Sequence, residues 1–282
     1  MSGGTVLSEM ASLVAQTAAV AESIQAHLAA LPAEDWDRPS ACTDWSVRHV
    51  AAHLAGMGQQ FAGSVERGLR GDASPPATAT HGPEAARAAR LARIDRMATL
   101  PPAELLGEVQ RGLGRLGQAL EASVAANRPE TPTWHRLGLM PLSWWPGQSL
   151  VEVSLHDWDI RVATDPEALV APVALPGLAG QMRARMLRCF QPRSTEGLDG
   201  VVRVALIGET PLAWLGRLRS GTLEVLDDGV ATPDASIETN AGSYALVQTT
   251  RRPAGWFASR DRWQVTGDEA LASRLTTAFS GY

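Results

Sequence analysis

Glu152 and His156, one helical turn apart, form the pair of residues in this chain best spaced to do chemistry together. At i, i+4 spacing a helix carries both side chains on one face. A second imidazole, His53, stands far earlier, in the segment Trp45-Ser46-Val47-Arg48-His49-Val50-Ala51-Ala52-His53-Leu54. If His53 faces the pair from a neighbouring helix, the three supply two ring nitrogens and a carboxylate oxygen. That donor set suits a divalent transition metal, zinc first. Three protein ligands leave one coordination position open, as in catalytic zinc sites; structural sites close with a fourth. His53, Glu152 and His156 are therefore the candidate metal ligands and the candidate catalytic residues.

Each has a plainer reading. His53 borders the apolar stripe Val50, Leu54 and Met57, where a core histidine bonded to a carbonyl would also fit. Ser149-x-x-Glu152 has the spacing of a capping box, in which the glutamate folds back onto a helix N-terminus. His49 precedes His53 by one turn; it is either a fourth ligand, which would close the site, or a surface or supporting residue. Asp157, Asp159 and Arg161 are candidate partners for a ligating histidine. His27, His81 and His135 lack comparable neighbours, although His135 beside Trp134 could reach a pocket mouth. Trp144 and Trp145 either wall the pocket or pack beneath a loop.

These residues need helices to position them, and the first half of the chain supplies the pattern. Leu7, Met10, Val14, Ala18, Ala21, Ile24, Leu28 and Leu31 recur at three and four residues up to Pro32. A second stripe runs from Val47 through Val65 towards Gly68 and Gly71. Residues 72–82 read as a mobile loop rich in Ala, Pro and Thr. Helical patterns return over 83–99 and 102–126. Residues 127–148, with four prolines and two glycines, read as a structured loop. The helix carrying Glu152 and His156 then runs to about Ala163. Four main helices with one long crossover predict a bundle over residues 1–165.

After Thr164 the pattern changes. Residues 166–176 read as a Pro-rich linker, and 177–282 as a small α+β domain. A helix over 177–190 precedes strands at 201–206, 212–215, 222–225, 235–239 and 263–266, expected to form an antiparallel sheet. A helix is expected over 241–250, and Asp268 can cap a closing one over 269–279. The fold class is thus a two-domain chain, a helical bundle followed by α+β.

Composition narrows the chemistry. The 282 residues are 45% hydrophobic and 20% charged, as in ordinary globular proteins. A net charge of −5 argues against a nucleic-acid partner, and no apolar run is long enough to span a membrane. The start of the chain lacks the layout of a signal peptide. Two cysteines, neither in a CxxC pair, exclude a disulfide scaffold and fit a reducing cytoplasm. All 25 basic residues are arginine, so lysine-based covalent catalysis is excluded. No serine nucleophile elbow, phosphate-binding loop or dinucleotide fingerprint is present.

Three segments together resemble a known family. They are Trp45-x-Val47-Arg48-x-Val50-x-x-His53-Leu54, Gly147-x-Ser149-x-x-Glu152-x-x-x-His156-Asp157-x-Asp159, and Val265-x-Gly267-Asp268-x-x-Leu271-Ala272-x-Arg274-Leu275-x-x-x-Phe279. In that order they resemble the mycothiol-dependent maleylpyruvate isomerase family, over nearly the whole chain. The resemblance implies a DinB-like metal-binding four-helix bundle joined to a small sterol-carrier-like domain. It implies metal ligands at His53, Glu152 and His156, and mycothiol as the thiol. His49 departs from the pattern, which commonly carries an acidic residue there.

The expectation is a metal-dependent isomerase or thiol transferase acting on a small anionic or conjugated molecule, with a low-molecular-weight thiol as cofactor or cosubstrate. Arg217, Arg219, Arg251, Arg252, Arg260 and Arg262 are candidate partners for an anionic substrate. A thiol-independent metal hydrolase, lyase or isomerase is the alternative. A binding protein without catalysis is the third reading.

Overall fold

A computed structural model describes residues 3–77, 79, 82–191 and 197–280. The chain divides into two compact units, Met1–Ala168 and Leu169–Tyr282. Among the described residues no helix is long and apolar enough to cross a membrane.

The first unit is built from α1 (Gly3–Ala30), α2 (Val47–Leu69), α3 (Pro83–Ala98), α4 (Pro102–Ala125) and α5 (Trp144–Arg161). Four of them, α1, α2, α4 and α5, pack as a bundle: α1 against α4 and α5, α2 against the same two. The shorter α3 lies on α2. In α1 the buried face is Met10, Leu13, Val14, Thr17, Val20, Ala21, Ile24 and Leu28, a regular helical stripe. By contrast, α5 is buried on nearly every side, from Trp145 to Ile160 with only Glu152 partly exposed. A helix at that depth forces its polar residues to find partners.

α5 begins at Trp144, well before the expected start. Its first turn accommodates Pro146, because first-turn N–H groups have no acceptor within the helix. The preceding segment is not an irregular loop but a β-hairpin, β1 (Pro132–His135) with β2 (Gly138–Pro141). Trp145 packs beneath it: fully buried, edge-on to Phe61 at 5.1 Å, and donating to Thr133 Oγ1 at 2.6 Å.

α2 and α4 approach closely at two glycines. A Cβ on Gly58 would land on the Gly112 carbonyl, and one on Gly112 on the Ala55 carbonyl. Only hydrogen fits at both positions, so these two glycines set the spacing of the helix that carries His53.

The second unit holds α6 (Leu175–Cys189), β3 (Gly200–Ile207), β4 (Leu212–Arg219), β5 (Thr222–Asp227), β6 (Ala235–Asn240), α7 (Ala241–Gln248), α8 (Ala254–Ala258), β7 (Trp263–Gly267) and α9 (Glu269–Thr277). The sheet order is β5-β4-β3-β6-β7. It is mixed, not wholly antiparallel, because β3 and β6 pair in parallel at its centre. A helical turn at Pro172–Ala174 leads into α6, so Pro176 sits in the first turn of a helix. Asp268 caps α9 by accepting from Leu271 N at 2.9 Å. Tyr244, flanked by Trp214 and stacked on Trp263 at 6.1 Å, anchors the core.

Gly58→Ala should destabilise the protein by about 1–3 kcal/mol, the usual cost of overpacking. Gly114→Ala, on α4 and with nothing among the described residues within 4 Å of the new methyl, should be neutral or stabilising by up to about 1 kcal/mol. Urea unfolding midpoints of the two variants check this; equal shifts would contradict the close-approach reading.

Candidate metal centre

His53 on α2 and Glu152 and His156 on α5 converge. His53 Nε2 lies 3.9 Å from Glu152 Oε2, His156 Nε2 lies 3.6 Å from the same oxygen, and the two rings meet edge-on at 4.6 Å. All three donor atoms fall within 4.8 Å of one another. Both nitrogen–oxygen gaps exceed hydrogen-bonding distance. Ligand bonds of about 2.0–2.2 Å place neighbouring tetrahedral ligands roughly 3.3–3.5 Å apart. The observed gaps therefore suit three atoms turned towards a shared cation better than three atoms bonded to each other.

A supporting layer fixes the orientation of two of the three. Asp159 Oδ2 sits 2.8 Å from His156 Nδ1. A carboxylate only accepts, so Nδ1 carries a proton, and Nε2 is the nitrogen left to present a lone pair to the centre once the ring gives up its second proton. Gln148, one turn before Glu152, donates to Oε1 at 2.8 Å and leaves Oε2 facing the imidazoles. His53 Nδ1 is buried without a hydrogen-bond partner among the described residues. Its ring instead meets Trp45, tilted at 5.5 Å, and the edge-on ring of His156.

Electrostatics follow from this burial. Desolvation pulls His53 down to about 4, outweighing the nearby Glu152 carboxylate, so its ring is neutral at physiological pH. Burial would raise Glu152, but His156 and His53 hold it well below the usual carboxylate range. Burial also opposes charge on His156, yet Asp159, Cys42 and Glu152 together raise it well above an ordinary histidine. The centre thus offers an ionised carboxylate beside a neutral imidazole, with a carboxylate behind the second imidazole.

Cys42, which no motif or spacing singles out, joins the supporting layer. Its thiol donates to Asp159 Oδ2 at 3.1 Å and lies 3.9 Å from His156 Nδ1. The turn at 40–46 delivers it: Ser40 N bonds the Trp45 carbonyl at 2.9 Å, Ala41 N bonds the Asp159 carbonyl at 3.3 Å, and Asp44 adopts a left-handed φ of 67°. Cys42, His156 and Asp159 form a second compact group of potential ligand atoms. Its Asp159 contacts are at hydrogen-bonding distance, so protons already satisfy those atoms. The longer gaps of the first group favour it as the metal centre.

Other candidates fall elsewhere. His49 does not enter the centre. It serves the α2 N-terminus, its Nδ1 2.8 Å from Ser46 Oγ and accepting from Ser46 N at 3.3 Å. Glu152 is mid-helix and caps nothing. Asp157 and Arg161 pair with each other at 3.9 Å instead of supporting His156, and burial raises the Asp157 carboxyl to about 6. His27 lies on α1, with Nε2 buried and without a hydrogen-bond partner among the described residues. His135 accepts from Leu137 N and packs against Trp144 at 4.9 Å. His81 lies outside the described residues. In the second unit Arg217 pairs with Glu224 at 3.0 Å, and Arg252 and Arg260 both cover the Trp256 ring.

The fold and this cluster define a protein in which a helical bundle with a buried His–Glu–His centre precedes a mixed-sheet unit. Residues 17–161 match the mycothiol maleylpyruvate isomerase N-terminal domain, and the chain belongs to that family. Two crystal structures of mycothiol-dependent maleylpyruvate isomerase, one of a point mutant, share its fold. Each has a TM-score of 0.60 at 16% identity, covering 91% of this chain and 92% of that one. Sterol carrier protein 2 like 2 from Aedes aegypti aligns over 36% of this chain and 93% of its own, with 16% identity and a TM-score of 0.29. A glycerol kinase from Xanthobacter autotrophicus is 32% identical over 125 residues, 42% of this chain. The chain spans only about a quarter of that relative's length.

Asp159→Asn should lower zinc affinity about 10–100-fold by loosening His156. His49→Ala should leave zinc affinity unchanged while costing about 0.5–2 kcal/mol through loss of the cap. Competitive zinc titration and thermal melts of both variants separate the roles. Weakened zinc binding in His49→Ala would return that residue to the centre.

Proposed function

We propose that this protein is a metal-dependent isomerase of the mycothiol maleylpyruvate isomerase family that uses a small thiol, with mycothiol the thiol indicated by the family. The supporting observation is the convergence of His53 Nε2, Glu152 Oε2 and His156 Nε2 at spacings too long for hydrogen bonds and suited to joint ligation. These three residues would hold the cation, zinc first. When bound, the cation favours the thiolate form of a thiol at neutral pH, which is the nucleophilic form.

The chain's own groups supply the rest. Asp159 retains the His156 Nδ1 proton, so that ring keeps one tautomer throughout the cycle. Gln148 keeps Oε2 aimed inward. Trp45 packs against His53, tilted at 5.5 Å. A substrate with a conjugated double bond would then gain a carbon–sulfur bond, rotate about what has become a single bond, and expel the thiol unchanged. The thiol is regenerated and no net oxidation occurs, which fits an isomerase.

The test is turnover of maleylpyruvate by zinc-loaded protein with and without mycothiol, beside metal analysis of the wild type, His156→Ala and Glu152→Gln. The expected result is near-stoichiometric zinc in the wild type, its loss from His156→Ala, and isomerisation only with thiol present. Zinc-dependent turnover indifferent to thiol would replace this reading with thiol-free metal catalysis. Full zinc occupancy in His156→Ala would overturn the ligand assignment.

A further inference from the structure

His156 presents each of its ring nitrogens to a different carboxylate. Glu152 lies one turn before it on α5 and Asp159 one turn after. Nε2 stands 3.6 Å from Glu152 Oε2, and Nδ1 stands 2.8 Å from Asp159 Oδ2. The first nitrogen belongs to the His53–Glu152–His156 centre. The second belongs to another compact set of ligand atoms, completed by the Cys42 thiol. That sulfur lies 3.1 Å from Asp159 Oδ2 and 3.9 Å from His156 Nδ1.

Geometry and access both suit this set to a cation. Ligand bonds of about 2.0–2.3 Å place neighbouring tetrahedral ligands roughly 3.3–3.6 Å apart, a range that the three observed separations bracket. His156 and Asp159 are buried on one rigid helix. A turn tied to itself and to α5 delivers the thiol. Within it Cys42 N bonds Ser40 Oγ at 3.1 Å, Ser40 Oγ bonds the Trp45 carbonyl at 2.8 Å, and Ala41 N bonds the Asp159 carbonyl at 3.3 Å. Cys42 is only half-buried, which leaves an approach from solvent on its side.

Donor chemistry separates the two sets. The first offers nitrogen and oxygen alone, whereas Cys42 adds sulfur, a soft donor that favours thiophilic ions. The thiol and the Nδ1–H both point at Asp159. An ion entering the zinc-loaded protein would displace these two protons to solvent, because a coordinating thiol and imidazole nitrogen must both give up hydrogen. Zinc is served by the donors of the first centre; an ion with a strong preference for sulfur gains a thiolate only at the second.

We propose that Cys42, His156 Nδ1 and Asp159 form a second cation site, selective for a thiophilic d10 ion, that shares the His156 ring with the first centre. Occupancy would remove the hydrogen bond by which Asp159 orients His156. Such an ion would act on the first centre through the far side of one ligand, without competing for its cation position. The effect on catalysis rests on the functional reading above; the site itself does not.

Cadmium titration of full-length protein already carrying one equivalent of zinc tests this, read by the ultraviolet thiolate-to-cadmium charge-transfer band and by retained zinc. The wild type should take up one equivalent of cadmium with that band and keep its zinc. Cys42→Ser should lose the band and keep zinc, and Glu152→Gln should lose zinc and keep the band. His156→Ala, which strips a ligand from both sets, should lose zinc and bind cadmium about tenfold or more weakly. Cys189→Ser, which alters the other cysteine of the chain, should change neither reading. No band in the wild type, a band that survives Cys42→Ser, or wild-type cadmium affinity in His156→Ala would overturn the proposal. A wild type that binds no zinc yet shows the His156-dependent cadmium band would sink the first centre and leave the second standing.

Discussion

Glu152 Oε2 is held between two imidazole nitrogens, 3.6 Å from one and 3.9 Å from the other, on the partly exposed edge of an otherwise buried helix. At this depth polar groups normally close on one another to recover the hydrogen bonds lost on leaving water. These three do not close. The opposition is built into the backbone: α2 and α5 fix the Cα positions, Gln148 occupies the other glutamate oxygen, and Asp159 holds His156 from behind. In the proposed reading, a site kept open in this way is preorganised for a charge that arrives later, the property a metal centre needs.

Much of the bundle can be read as support for that opening. Gly58 and Gly112 let α2 and α4 approach until backbone meets backbone, which sets where His53 sits. Ser46 and His49 close the α2 N-terminus just ahead of it, and the turn at 40–46 is bonded to α5 through Ala41. Trp145 fastens the start of α5 beneath the hairpin.

The legible parts of the sequence were those governed by local periodicity. Glu152, His156 and Asp159 share a helical face, and spacing alone reveals it. The α1 and α2 stripes followed from the same rule. Chemistry that depends on chain crossings was harder to see. Cys42 reaches Asp159 through a turn with a left-handed residue, and nothing in its neighbours announces that contact. Capping logic misled in both directions. Ser149-x-x-Glu152 has the right spacing but lies mid-helix, whereas Ser46-x-x-His49 forms a real box with histidine in place of the usual Glu or Gln. Pro146 and Gly147 hid the start of α5, since a first-turn proline looks like a breaker until the turn is known. The parallel pairing of β3 with β6 could not be read from alternation, which is blind to strand direction.

X-ray absorption at the zinc edge of the loaded protein, before and after mycothiol is added, addresses the centre most directly. Before addition the account predicts a shell of nitrogen and oxygen only, with two imidazoles, one carboxylate and a water-filled position. After addition one sulfur should enter at about 2.3 Å. Sulfur in the first shell before any thiol is present would contradict it, because that atom would have to be Cys42. The metal would then belong to the Cys42–His156–Asp159 group and not to the opening between His53, Glu152 and His156.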